Sequence, residues 1–272
     1  MNNCIEKKAY LGREDLTELV IEEGIEQIGD WAFAGCRNLR RIALPETVKQ
    51  IGREIFKDDA SLSMIAVCSV EQLQSSGFFP LLSKQEMILA RLRADSFLHF
   101  PPSAVSEMIE IDPVKWVPTL DDRLSTFLIR PDDAGFVPFL ASGEEDYEEG
   151  DAARQLFMEK RRRAKCKAAL DRLLLDRCLQ DAFTIEESAD QAVLLEEKER
   201  EQLAEVLKTS DVAYGVLAES QELLEESVKL YSEMGLLNPA AVTVLLSMIP
   251  AENIQLRSLC MRYSNKTTRF TL

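Results

Sequence analysis

Near its amino terminus the chain is written at a fixed period, and that period constrains the fold more than any other feature. Leu16, Leu39 and Leu62 stand 23 residues apart. The same offset carries Leu19 to Ile42 to Ile65, Ile21 to Leu44 to Val67, and Ile25 to Val48. It also carries Ile28 to Ile51, Gly29 to Gly52 and Phe33 to Phe56. Periods of about 20 to 29 residues belong to leucine-rich solenoids, whose units cannot bury their apolar faces alone and must stack.

Each unit reads as a short strand, a turn, and a short helical or 3₁₀ segment. Residues 17–21 and 40–44 are the expected strands, with Leu19, Ile21, Ile42 and Leu44 turned inward at period two. Glu23 with Gly24, and Pro45 with Glu46, end them. Ile25, Ile28, Val48 and Ile51 point back to the core, and Phe33 and Phe56 fill the space between units. Gly29 and Gly52 are expected to supply a backbone conformation that other residues resist. Residues 1–15 are expected to cap the array, with Ile5, Tyr10 and Leu11 covering the first unit.

In residues 20–39, the run Ile21, Ile25, Ile28-Gly29, Ala32-Phe33, Cys36 and Leu39 resembles the BspA-type leucine-rich repeat of bacterial surface and gut-bacterial proteins. The second copy, residues 43–62, keeps Leu44-Pro45, Val48, Ile51-Gly52, Phe56 and Leu62. It departs at Ile55, where the family usually has alanine, and at Asp59, where it usually has cysteine. The resemblance spans about a quarter of the chain and implies a fold. It implies no catalytic residue, because the motif contains none. Its functional implication is the binding of proteins and host surfaces.

After Val67 the period stops, which places a domain boundary near residue 70: a leucine-rich-repeat domain over 1–70 and an α-helical domain over 71–272. The fold class is therefore α+β. Ser83 and Glu86 form a capping box ahead of a helix carrying Met87, Leu89, Ala90, Leu92 and Phe97. Pro101 and Pro102 break it, a second helix covers about 104–111, and Pro113, Pro118 and Asp121-Asp122 mark another break before a helix over 123–129. The acidic run 143–151 reads as a solvated loop inside the helical domain. Its spacing is not that of an EF-hand. A long helix then carries the basic cluster 160–167, which reads either as a docking point for an acidic partner or as a compensated, solvated face. Thr184, Ser210-Asp211 and Asn238-Pro239 are N-cap signals, and Gly235 is a C-cap signal. The helix pairs of this tail are similar to the ankyrin-like repeats that accompany some gut-bacterial BspA-type repeats, without an ankyrin signature.

The formal net charge of −15 disfavours nucleic acid and anionic membrane as partners. No secretory signal is visible at the start, no window is apolar enough to span a bilayer, and the six cysteines show no metal or disulfide spacing. Together these point to the cytoplasm. His99 is the only histidine and reads as a partly buried, satisfied side chain. Nucleotide-binding, hydrolase and zinc motifs are absent, so no catalytic, cofactor or metal site is assigned. The leading expectation is a non-catalytic protein–protein interaction module. Its surface would be the exposed strand face, with Glu18, Arg40 and Ser63 at equivalent outward positions and Trp31 as an aromatic anchor. Two alternatives remain open: self-association through open solenoid ends, and a hydrolase with a carboxylate site between the domains.

Overall fold

The computed structural model describes residues 3–74, 79–100, 109–110, 112–137, 147–183, 193–219 and 221–267. The strands are β1 (Cys4–Ile5), β2 (Glu18–Val20), β3 (Gln27–Ile28), β4 (Arg41–Pro45), β5 (Gln50–Ile51) and β6 (Met64–Cys68). They form two parallel three-stranded sheets, β1-β3-β5 and β2-β4-β6. Register follows the sequence period: Ile5 pairs with Ile28 and Ile28 with Ile51, while Leu19 pairs with Ile42 and Ile42 with Ile65.

A third ladder runs along the turn arms. The amides of Lys8, Tyr10 and Gly12 donate to the carbonyls of Asp30, Ala32 and Ala34 at 3.1, 2.7 and 2.8 Å. One period on, Trp31, Phe33 and Gly35 donate to Arg53, Ile55 and Lys57 at 3.0, 3.0 and 2.8 Å. The arms turn at left-handed residues that also recur by period: Lys8, Trp31 and Glu54, then Gly12, Gly35 and Asp58. Residues 3–15 are thus not a cap over the first repeat. They are the opening arm of that repeat, and Leu11 points outward, 50% exposed.

Inside the repeats, Leu19, Ile21, Ile42, Leu44, Ile65 and Val67 pack with Ile28, Phe33, Leu39 and Phe56 in one apolar core. Through it runs an aromatic column: Tyr10 stacks on Phe33 (5.4 Å between centroids), Phe33 on Phe56 (5.6 Å), and Phe97 meets Phe56 edge-on (5.6 Å). Such pairs add roughly 0.5–1.5 kcal/mol each beyond their buried area. Gly29 and Gly52 owe their identity to crowding, not to a special φ. A Cβ on Gly29 would lie 2.5 Å from Lys7 N, and one on Gly52 would strike Asp30 N and lie 2.6 Å from Gly29 C. The preceding repeat passes too close for any side chain.

Beyond β6 the helices begin: α1 (Val70–Gln74), α2 (Lys84–His99), α3 (Pro113–Ile129), α4 (Tyr147–Phe183), α5 (Glu197–Thr209), α6 (Ala213–Glu219), α7 (Leu224–Glu233), α8 (Pro239–Met248) and α9 (Ile254–Thr267). α2 opens with the expected capping box: Ser83 N donates to Glu86 Oε2 at 2.7 Å and Glu86 N to Ser83 Oγ at 3.3 Å. Its residues 88–96 are all buried, including Arg91, Arg93 and Asp95. One part of this helix lies on the outer face of β4 and β6; another, with Ala94 and Phe97, closes the end of the repeat core.

Pro118 does not break the chain. α3 runs through it, with Asp112 Oδ1 capping Val114 N at 3.0 Å and Pro113 in the first turn. The hydrogen bond that Pro118 cannot donate is offset by the burial of Trp116, Val117, Leu120, Leu124 and Phe127. The acidic run is likewise part helix. Residues 143–146 lie outside the described residues, but 147–151 open α4, where acids suit the positive end of the helix dipole. The helix expected over 104–111 and the cap at Thr184 fall almost wholly outside the described residues.

The fold divides into two compact units, Met1–Ile129 with Leu175–Leu195, and Arg130–Leu174 with Glu196–Leu272. The change from strand to helix comes near residue 70, whereas compaction carries α1, α2 and α3 into the unit of the repeats. In the second unit, Asn238 Oδ1 caps Ala241 N at 2.8 Å, and Gly235, at φ 70°, ends α7. Tyr231 Oη donates to Ala213 O at 3.0 Å, and Tyr214 Oη to Leu236 O at 2.8 Å.

Gly52→Ala is expected to cost more than about 2 kcal/mol in urea denaturation, since backbone must move. Gly150→Ala, with open space around it in α4, is expected to gain up to about 1 kcal/mol.

Candidate protein-binding surface

The strand face expected to recognise a partner is covered by the chain itself. Alternation sends Val20, Ala43 and Ala66 to the side opposite the repeat core, where Met64 and Cys68 join them. Leu73, Phe79, Leu82, Met87 and Ala90 pack against this side. Ala43, Ala66 and Met64 retain 0%, 2% and 6% of their exposure, so β4 and β6 are buried on both faces. Parallel strands tolerate this, because their short apolar runs do not need an aqueous side.

Glu18 is not the counterpart of Arg40: the register pairs it with Arg41, and Arg41 with Met64. Arg40 is matched instead to Thr17 and Ser63, each bonded through its amide to the repeat before it: Arg40 N to Thr17 O at 2.8 Å, Ser63 N to Arg40 O at 2.9 Å. The sequence reading slipped by one residue at β2, which exchanges faces in a strand. Glu18 and Arg40 are exposed, and Ser63 is half-buried. Glu18 is ion-paired to Arg41, whose guanidinium lies 4.5 Å from the centroid of Phe79.

Trp31 lies elsewhere, on the turn arms. It is half-buried in a groove of about 470 Å³ lined by residues of all three repeats, among them Lys8, Leu11, Arg37, Lys57 and Asp58. Its Nε1–H donates to Glu54 Oε2 at 2.8 Å, and Glu54 also receives Lys57 Nζ at 3.3 Å. These two donors hold the Glu54 carboxyl below the usual carboxylate range. Lys7 and Lys8 place their ammonium groups 4.7 and 5.5 Å from the indole centroid. Arg37 stands exposed at the rim. The groove therefore offers an aromatic surface bordered by Lys8, Arg37 and Lys57, with Glu14 and Asp58 also in its lining. Sequence reasoning missed its first-repeat wall, although the 23-residue offset already linked Ile5 to Ile28, Tyr10 to Phe33 and Gly12 to Gly35.

A second cavity of about 430 Å³ is lined by Glu54, Phe56 and Asp58 of the third repeat, by Phe97 of α2, and by Phe100 and Arg123. Arg123 Nη1 donates to Ser96 Oγ at 2.7 Å, and burial lowers the pKa of its guanidinium. Glu54, held ionised, is the wrong kind of acid for proton donation.

The remaining candidates resolve into local structure. Most of the basic cluster on α4 is paired within its own unit: Lys165 Nζ reaches Asp132 Oδ1 at 2.8 Å and the Arg130 carbonyl, Arg161 Nη1 reaches Pro131 O at 3.3 Å, Arg163 meets Glu159 at 3.6 Å and Lys167 meets Asp171 at 3.5 Å. Compensation comes from Asp132 as well as Asp211, which Arg162 Nε meets at 3.5 Å. His99 is exposed rather than partly buried, its ring stacked over Phe127 at 6.1 Å. Trp116 is fully buried beneath the Arg93 guanidinium, 4.6 Å from its centroid. All six cysteines are free thiols, Cys4 exposed. Among the described residues no cluster of His, Cys, Asp or Glu has the geometry to hold a metal, and no helix is long and apolar enough to cross a membrane.

The profile of the family described as "BspA type Leucine rich repeat region (6 copies)" matches residues 3–90, about a third of the chain. The match starts at the first arm of the first repeat and ends within α2. Neither curated proteins nor solved structures give a significant match.

Ala43→Asp is expected to cost about 3 kcal/mol or more in chemical denaturation, because it buries an unpaired charge beneath α2. Arg40→Glu, on an exposed side chain, is expected to stay within about 0.5 kcal/mol.

Proposed function

We propose that the chain is a non-catalytic protein-interaction module whose partner docks on the turn-arm groove around Trp31. The carrying observation is that groove: an indole within reach of solvent, flanked by Lys8, Arg37 and Lys57, and formed by all three repeats. Tryptophan and arginine are the side chains that most often anchor protein interfaces, since one buries large area and the other adds a directional charge. The resemblance of residues 3–90 to leucine-rich repeats supports the same reading. Stacking of three repeats into a short solenoid would make the groove a rigid, extended surface, not a deep pocket.

Glu18, Arg40 and Ser63 become rim residues in this reading, since α2 and its neighbours occupy the face beside them. The helix pairs of the second unit would add a further surface of the ankyrin-like kind. Self-association through open ends is the weaker reading, because Ala94 and Phe97 of α2 already close the end beyond the third repeat. Six free thiols favour a reducing, cytoplasmic setting.

Affinity capture from lysate of the source organism tests the assignment. The double substitution Trp31→Ala with Arg37→Glu is expected to reduce the recovered partner at least tenfold, while Glu18→Lys with Arg40→Glu leaves recovery near wild type. Equal recovery with both pairs of substitutions would remove the groove from consideration.

A further inference from the structure

We propose that Asp59 is a pH-sensitive latch: protonated, it seats the third repeat against the second, and ionised, it drives that arm out of the array.

Asp59 occupies the place that Cys36 holds one repeat earlier, 23 residues before. There the thiol donates from Sγ to Tyr10 O at 3.0 Å, stitching the second repeat to the first. The same register gives Asp59 the Phe33 carbonyl as its counterpart acceptor. A carboxylic acid can donate to that oxygen; a carboxylate can only oppose it. Asp59 is 1% exposed, and neither Oδ1 nor Oδ2 makes a hydrogen bond of good geometry; among the described residues the only donors that face it are the amides of Cys36 and Gly35. Those amides favour the ionised form only weakly, because Gly35 N is committed to Lys57 O at 2.8 Å and Cys36 N to Phe33 O at 3.2 Å. An ionised group in this position keeps little of the stabilisation that water gave it.

The charged surroundings do not relieve it. Asp58, next in the chain, adds like charge. The Cys36 thiol, pushed up by burial, stays neutral, and near it Arg13 is bound to Asp15 at 2.6 Å. Lys57 is turned to Glu54. Burial outweighs the opposing Cys36 and Gly35 amides and, with a smaller push from Asp58, raises the Asp59 carboxyl from 3.8 to about 7. Because the folded pKa is raised, the native state holds a proton that the unfolded chain has released between these values. The contribution of Asp59 is thus complete at acid pH and is lost as pH rises through about 7. Over that interval the folding constant falls about tenfold per pH unit.

The loss is local in its effect. Asp59 N bonds to Phe56 O at 3.3 Å and Leu62 N to Asp59 O at 3.1 Å, so the carboxylate cannot swing out without moving this turn. Phe56 belongs to that turn and is the last repeat residue of the aromatic column before Phe97. Release of the latch therefore loosens the contact between the third repeat and α2.

The full chain is compared with Asp59→Cys and Asp59→Asn by urea denaturation from pH 5 to pH 8, with amide hydrogen exchange at Trp31, Phe33 and Gly35. Wild type is expected to lose up to about a hundredfold in folding constant relative to Asp59→Cys between pH 5 and pH 7. Its three amides, which donate to the third repeat, are expected to lose protection beyond the intrinsic base catalysis seen in the variants. The wild-type carboxyl carbon resonance, which needs no variant, is expected to titrate near 7. Parallel stability profiles, or an Asp59 titration near 4, would overturn the proposal.

Discussion

The first compact unit depends on one constraint: each backbone arm must lie within hydrogen-bonding distance of the same arm 23 residues away. Three ladders enforce it, two between strands and one between turn arms. Everything else at these positions follows from closeness. Gly29 and Gly52 leave no Cβ in the way, Phe33 and Phe56 stack in line with Tyr10, and polar side chains bond to their neighbours one period away, as Trp31 does to Glu54 and Arg53 does to Asp30. The aromatic column ends on Phe97, so the array hands its core to a helix that is not part of the period.

The periodic part of this architecture was legible because side chains that repeat in sequence also repeat in space. Ile42, Leu44, Ile65 and Phe56 could be placed inward from spacing alone. The first repeat was harder to see, since Tyr10 stands where the later copies have phenylalanine and Glu6 where they have glycine. The glycine rationale needed coordinates: spacing marks a position as special without distinguishing a left-handed φ from a close approach. The one-residue slip that matched Glu18 to Arg40 departed from the 23-residue offset, which by itself assigns Glu18 to Arg41.

The candidate surface was less legible than the fold. Nothing in the composition of α2 says that it lies on strands, because Arg91, Arg93 and Asp95 mimic a solvated face. They are buried through specific arrangements, such as the Arg93 guanidinium on Trp116 with Nη2 donating to Glu110 O at 2.7 Å. The basic run on α4 misleads in the opposite direction. It suggests a partner, yet Asp132, Asp171 and Asp211 pair with Arg162, Lys165 and Lys167. A charge run signals an interface only when its own fold leaves it uncompensated.

The tight approach at Gly29 and Gly52 has a direction: each glycine makes room for the repeat before it. A repeat duplicated within the array would arrive with its clearance already encoded, whereas one grafted after β6 would first have to displace α2. Growth of such an array is therefore permitted from within and blocked at its carboxyl end. Its length is a property that duplication could change without redesign, and its terminus is one that it could not.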